Sequence, residues 1–410
     1  MWKKIASFII GFSLIILSSD ANGGEEFLSP SEYWERPIPL QIPNSNSELP
    51  LSFHPEDCGE CHKEQYKGWN GSLHSKAVGP RLLSQLEPHN DSETAVSCYY
   101  CHAPMMEQSE VIKQKPEVRS QKSEGENNYT KNPSFDNKLK LSGVGCSVCH
   151  VRKGKVYGPP AKAVTSHQSP VTSNKRQHNF IENDFFEKAE FCAACHQMDD
   201  GYELNGKVLT NTYKEWKNSF YGKSNITCQS CHMPDRQHLW KGIHDSEMVR
   251  GGISIETYPN ERGAKLVITN SGVGHFFPTY VTPLIVVKGF MLNNKGKIIP
   301  SSMKESFIGR KVSLDLTQEF FDTRIAPQKS FEFDYNPLNP PLLRGTYNKV
   351  QAKNRLIFEV WVYPDKFYNE FFENMLKGDN IGIKNNELKD AWKNSSESSY
   401  LLWKKEINTE

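Results

Sequence analysis

All ten cysteines of this chain fall in one repeated pattern: CGECH from Cys58, CYYCH from Cys98, CSVCH from Cys146, CAACH from Cys192 and CQSCH from Cys228. Any fold must use five Cys-x-x-Cys-His units and leave no sulfur over. Three chemistries compete for such pairs: disulfides, zinc sites and covalent haem attachment. A disulfide framework gives no reason for histidine to follow every pair, and zinc would combine pairs two at a time into tetrahedra, which five pairs do not allow. Histidine placed by chance, at about 3% of positions, would follow all five pairs on the order of once in 10⁷ to 10⁸ such chains.

Haem accounts for the histidine directly. Two thiols spaced by two residues on a helical turn face the same porphyrin edge, and the next residue turns its imidazole to the iron. The attachment residues are therefore Cys58, Cys61, Cys98, Cys101, Cys146, Cys149, Cys192, Cys195, Cys228 and Cys231. His62, His102, His150, His196 and His232 are the expected proximal ligands of five haems c.

Composition fits that reading. Apolar residues make up 37% of the 410 and the mean hydropathy is −0.63, too little for an interior built of side chains alone. Between residues 51 and 246 the macrocycles can serve as the core, and at one haem per roughly 40 residues they must lie close together. A close chain of redox centres moves electrons.

The N-terminus reads MWKK, then IASFIIGFSLIIL, then SSDANG, with Ser19 and Ala21 placed for signal-peptidase cleavage. Residues 1–21 are expected to be a cleaved signal peptide, which puts the protein in the periplasm or outside the cell, where c-type attachment takes place. A retained anchor would need about 20 apolar residues, and no later segment is long enough to span a membrane. Removing residues 1–21 takes two lysines and one aspartate from 49 basic and 48 acidic residues, so the mature chain is formally neutral. Nucleic acid is not an expected partner.

Eight histidines remain for the other face of the irons. His74 stands behind an aromatic frame, QYKGWNGSLHSKA from Gln65, and is expected as a distal ligand. His167 and His178, upstream of the fourth motif, are expected in the same role, as are His238 and His244 in MPDRQHLWKGIHD. His54 beside Pro55 reads as structural and His89 as solvated. His275 in GVGHFFPT either packs on a haem edge or binds iron across a domain boundary. Met105, Met106, Met198 and Met233 read as packing residues.

These stretches resemble a known family, the multihaem cytochromes related to cytochrome c554, a branch that shares its haem packing motif with hydroxylamine oxidoreductase and pentahaem nitrite reductase. The matching residues are CGECHKEQYKGWNGSLHSKAV from Cys58, GVGCSVCH from Gly143, and the spaced histidine ahead of CAACH. TCQSCHMPDRQHLWKGIHD followed by NSGVGHFFPT is similar to members with a β-rich C-terminal domain. The resemblance covers residues 51–285. It implies mostly bis-histidine, low-spin haems in stacked pairs, with His74, His167 and His178 at distal positions. The chain departs from the enzymes of that branch in having no CxxCK motif, and no cross-linking tyrosine can be matched.

The expected architecture is a mainly α, haem-cored multihaem domain with few strands, then an antiparallel β-sandwich of immunoglobulin-like kind, then C-terminal helices. Residues 22–50, rich in proline, read as an extended arm; 51–246 as the pentahaem domain; 247–365 as the sandwich; 366–410 as a helical segment. Residues 107–140, polar with few apolar anchors, read as a surface loop. The frame of residues 65–77 recurs as TYKEWKNSFYGKS from Thr212, with Tyr221 in place of His74. Tyr221 either packs or lines a five-coordinate haem.

The functional expectation is a secreted pentahaem cytochrome c passing electrons between extracytoplasmic redox proteins, with no catalytic residue assigned. One alternative is an oxidoreductase acting on hydroxylamine, nitrite or sulfite at one open haem. Another is a subunit of a haem-conducting filament, and a homo-oligomer fits the pattern too.

Overall fold

The computed structural model describes residues 28–41, 53–86, 92–113, 129–161, 179–199, 201–260, 263–336, 355–378 and 385–407. The signal-peptide reading of residues 1–21 and the histidines His89, His167 and His178 lie outside the described residues.

Up to residue 252 the described residues form short helices with a few short strand pairs between them, and every Cys-x-x-Cys-His unit sits on or at the end of a helix. The carriers are Pro55–Gly59, Ser92–His102, Cys146–His150, Glu190–His196 and Cys228–His232. One helical turn places the paired thiols on the same face. Apolar side chains here gather only in small separate clusters. One holds Leu28, Tyr33, Tyr157 and Phe185, another Ile38, Met105 and Val148, and a third Val78, Leu82 and Ala103.

The N-terminal arm is more firmly seated than its proline content predicts. Ser29 caps the turn Pro30–Tyr33 in a reciprocal bond pattern with Glu32. Tyr33 is fully buried among Trp34, Tyr157, Phe185, Phe186 and Phe191, with ring centres 5.7–5.9 Å away, and its hydroxyl donates to the Cys149 carbonyl at 2.6 Å. Ile38 bridges Met105 in parallel. Residues 107–113 and 129–140 likewise depart from the surface-loop expectation. Val111–Lys113 pairs antiparallel with Tyr129–Lys131, Asn132 is buried, and Lys140 lies over the Tyr99 ring at 4.6 Å.

After residue 252 antiparallel strands take over. Ile253–Asn260, Gly263–Asn270 and Ser330–Tyr335 form one sheet with Gly263–Asn270 in the middle. Lys304–Ile308, Leu284–Leu292, Arg355–Tyr363 and Tyr400–Ile407 form a second, in that spatial order. The alternation of strand side chains sends Ala264, Leu266 and Ile268 from the first sheet, and Leu356, Phe358, Val360 and Val362 from the second, into one continuous core. Gly289 is required there, because a Cβ would stand 2.5 Å from the Tyr335 ring.

The helices Lys366–Lys377 and Asn385–Glu397 agree with the expected helical segment, but its last part does not. Tyr400–Ile407 is a strand that pairs with Arg355–Tyr363 and buries Leu402 and Ile407. The residues YLLWKKEI alternate well enough to pair with an available sheet edge, and pairing outweighs continuation of the preceding helix.

Polar contacts centred on two buried side chains join the two parts. Asp365, 3% exposed, accepts from Arg81 at 2.8 Å and lies 3.0 Å from His244 Nε2. Arg310 is buried and donates to the carbonyls of Leu204, Lys207 and Val208 and to Glu319.

Candidate haem sites

The ten cysteines form no disulfide. Thiols of different motifs nevertheless stand next to one another: Cys58 beside Cys146, Cys101 beside Cys195, and Cys192 beside Cys228. The first and third motifs therefore meet, as do the second and fourth and the fourth and fifth. Arg36 points between the second and fourth, with guanidinium nitrogens 3.3 Å from Cys101 Sγ and 3.4 Å from Cys195 Sγ. Hydrogen bonding from Cys195, opposed by burial and helped by the Arg36 charge, holds the Cys101 thiol down at about 6.

Four of the five motif histidines are oriented by bonds on Nδ1. His102 Nδ1 lies 2.8 Å from the Ala77 carbonyl, His150 Nδ1 2.8 Å from that of Tyr157, and His232 Nδ1 2.7 Å from that of Lys241. His196 Nδ1 bonds the Tyr280 hydroxyl. In each case a carbonyl or hydroxyl oxygen accepts the Nδ1 proton and leaves Nε2 as the lone-pair nitrogen, the arrangement of a metal-binding imidazole.

Three of these rings face a second imidazole. His196 and His74 have ring centres 6.2 Å apart, His150 and His238 6.1 Å, and His232 and His275 6.3 Å. Two imidazoles on opposite sides of one metal, with bonds of about 2.0–2.1 Å and roughly 1.1 Å from nitrogen to ring centre, would stand about 6.3 Å apart. The second rings are held in the same manner, His238 Nδ1 by the Arg236 carbonyl at 3.0 Å and His275 Nδ1 by the Phe276 carbonyl at 2.9 Å. Trp240 lies edge-on to His74 at 4.7 Å and to His238 at 5.2 Å, so one indole walls two sites.

Burial keeps six of these rings neutral. It lowers His74 to about 3, with His196 adding to the effect, and lowers His150, His196 and His275 to about 4 each. His102 and His238 are also lowered, burial again being the main cause. A neutral imidazole is the ligating form. Facing neutral imidazoles, thiols at helical spacing beside each, and a sparse apolar core together fit covalently held haem c.

The other histidines lie elsewhere. His244 Nε2 lies 3.0 Å from Asp365 Oδ2, and among the described residues no motif imidazole is stacked against its ring. His54 Nε2 pairs with Asp136 at 3.1 Å. Among the described residues no imidazole faces His102. Tyr221 donates to the Ser271 carbonyl at 3.2 Å and packs where a Cβ on Gly274 would touch its ring, which is the packing alternative. Arg36, Trp240 and Tyr280 carried no signal in the sequence. His275 carried one, its flanking glycines and aromatics.

Residues 53–245 match the family model of outer membrane cytochrome MtrC/MtrF-like domains II/IV. Over 159 residues the chain is 24% identical to cytochrome c-554 of Nitrosomonas europaea, a match covering 36% of this chain. The chain spans 59% of the length of that curated relative. In fold it is similar to a penta-heme cytochrome c552 from Thermochromatium tepidum, with a TM-score of 0.56 at 19% identity, covering 87% of this chain and 100% of that one.

Proposed function

From the premise that this chain belongs to the multihaem c-type cytochromes, we propose that it is an extracytoplasmic pentahaem carrier passing electrons between redox protein partners. Haem c at each motif would supply a one-electron Fe(III)/Fe(II) couple. The chain's own residues do the rest. Cys58/Cys61, Cys98/Cys101, Cys146/Cys149, Cys192/Cys195 and Cys228/Cys231 are the attachment pairs, with His62, His102, His150, His196 and His232 as proximal ligands.

The observation that carries this reading is the set of three imidazole pairs 6.1–6.3 Å apart, His74/His196, His238/His150 and His275/His232. Two strong ligands on an iron leave no open position, which suits transfer rather than binding of a substrate. His167 and His178 remain candidates for the other irons. The thiol contacts support a path of short steps from the first site to the third and, through the fourth, to the second and fifth. Tyr33 supports the link between third and fourth, since its hydroxyl donates to the Cys149 carbonyl and its ring lies 5.8 Å from that of Phe191, next to Cys192.

No helix among the described residues is long and apolar enough to cross a membrane. Export by the N-terminal signal, a helical domain over residues 51–246 and an immunoglobulin-like form for residues 247–365 belong to this proposal.

A second reading, an oxidoreductase for a small nitrogen or sulfur compound, requires one iron without a second imidazole. Electron paramagnetic resonance of the oxidised holoprotein separates the two. Five low-spin ferric signals support the carrier. A high-spin signal that responds to nitrite, hydroxylamine or sulfite overturns it in favour of the second reading.

A further inference from the structure

Proximal imidazoles in this protein are held in two ways. His102, His150 and His232 lean on main-chain carbonyls, which no side-chain substitution removes. His196 leans on a side chain, Tyr280, from the segment between strands Gly263–Asn270 and Leu284–Leu292.

Behind Tyr280 runs a chain of hydroxyls. Tyr280 lies beside Thr212, Thr212 Oγ1 lies 2.9 Å from Thr279 Oγ1, and Thr279 Oγ1 donates to Glu215 Oε2 at 2.9 Å. Glu215 is buried and its other neighbours are donors too: the Phe276 amide at 3.0 Å and Arg324 Nη1 at 3.3 Å. A carboxylate at the far end sets the direction of every bond before it. Thr279 must donate to Glu215, so its oxygen accepts from Thr212. The one Thr212 hydrogen is then committed to Thr279, which leaves the Tyr280 oxygen to accept the His196 Nδ1 proton. The same segment places His275 opposite His232, so it reaches two adjoining sites.

We propose that Tyr280 is a positioning residue for the haem attached at Cys192 and Cys195, and that the Glu215–Thr279–Thr212–Tyr280 chain lets the β-rich part set the potential of that one site. The proposal rests on the reading of His196 as an iron ligand. An acceptor on Nδ1–H raises the basicity of a ligating imidazole and favours the ferric state. This site touches the second and fifth motifs through Cys195 and Cys192, so its potential governs which way electrons divide.

The test is a potentiometric titration of the five-haem protein followed by paramagnetic resonance, in wild type, Tyr280→Phe and Thr279→Val. In Tyr280→Phe one couple of five should move upward, by about tenfold in its reduction equilibrium or about 59 mV, with a change in that haem's low-spin signal alone. Thr279→Val should move the same couple the same way by less. Unchanged titrations in both variants, or a uniform movement of all five couples, overturn the proposal. If Tyr280→Phe does not yield holoprotein, Thr279→Val decides by the same criterion. His196→Ala tests the underlying reading separately: a wild-type set of low-spin signals there would remove His196 as a ligand, whatever the other variants do.

Discussion

Trp69 and Trp216 make the same bond in two places. Each indole donates at 2.8 Å to the carbonyl two residues ahead of a motif's first cysteine, Trp69 to Val144 before Cys146 and Trp216 to Ile226 before Cys228. The rest of the repeated frame follows suit. Ser72 and Ser219 each donate to the carbonyl of their tryptophan at 2.7 Å. The carbonyls of His74 and Tyr221 accept from the amides of Val144 and Ile226 at 3.0 and 2.9 Å. The frame is a clamp on the next motif, and its work does not depend on whether the residue at its end is an imidazole or a phenol.

Removing the indole N–H leaves a carbonyl without its donor. Trp216→Phe in the holoprotein should lower stability by about 1–3 kcal/mol, read as a lower chemical-denaturation midpoint. Trp69→Phe should do the same. A midpoint equal to wild type in both would show that the clamp carries no load.

Axial pairs predict single-site changes. His275→Ala should turn one low-spin ferric signal high-spin and leave the others, and His74→Ala should do so at a different signal. His244→Ala should change no signal, because its ring serves Asp365. A new high-spin signal in His244→Ala would restore it as a ligand.

The same residues show what was legible beforehand. Attachment sites are covalent and local, so five residues of sequence reveal each one. His74 and His238 lie close in sequence to motif residues and could be flagged. His275 comes from a different part of the fold, and only the docking of the β-rich part brings it to His232. Tyr33 could not be read as buried, since all but one of the rings around it lie more than a hundred residues away. Tyr400–Ile407 looked helical because its alternation follows a helical run, and the sheet edge that recruits it is not a local property.

Acid should loosen the joint between the two parts. Asp322 accepts from Arg324 at 2.9 and 3.0 Å and from Lys207 at 2.9 Å. Burial alone would raise its carboxyl, but these two cations outweigh burial and hold it below the usual carboxylate range. A carboxyl lowered on folding contributes stability that is present above its unfolded value of about 3.9 and is lost as pH falls below it. The denaturation midpoint should therefore drop below about pH 4, and Asp322→Asn should start lower at pH 6 and show less of that drop. An equal acid dependence in both proteins would assign it to other groups.

The latch at Asp365 should act independently of the haem sites. Asp365→Ala strips Arg81 and His244 of their shared acceptor and should cost about 1–3 kcal/mol. Limited proteolysis should then cut faster between the helical and β-rich parts, with the paramagnetic signals unchanged. Altered signals would mean that the latch also shapes an iron site.

The arm at residues 28–41 has a consequence for biogenesis. It lays Tyr33 on Cys149 and Arg36 on Cys101 and Cys195, closing over three motifs at once. If haem is attached at Cys101 and Cys195, the maturation machinery must reach those two sulfurs while Arg36 is still away, and the arm would then be the last fastening of assembly. A polypeptide that fastened early would be sealed empty.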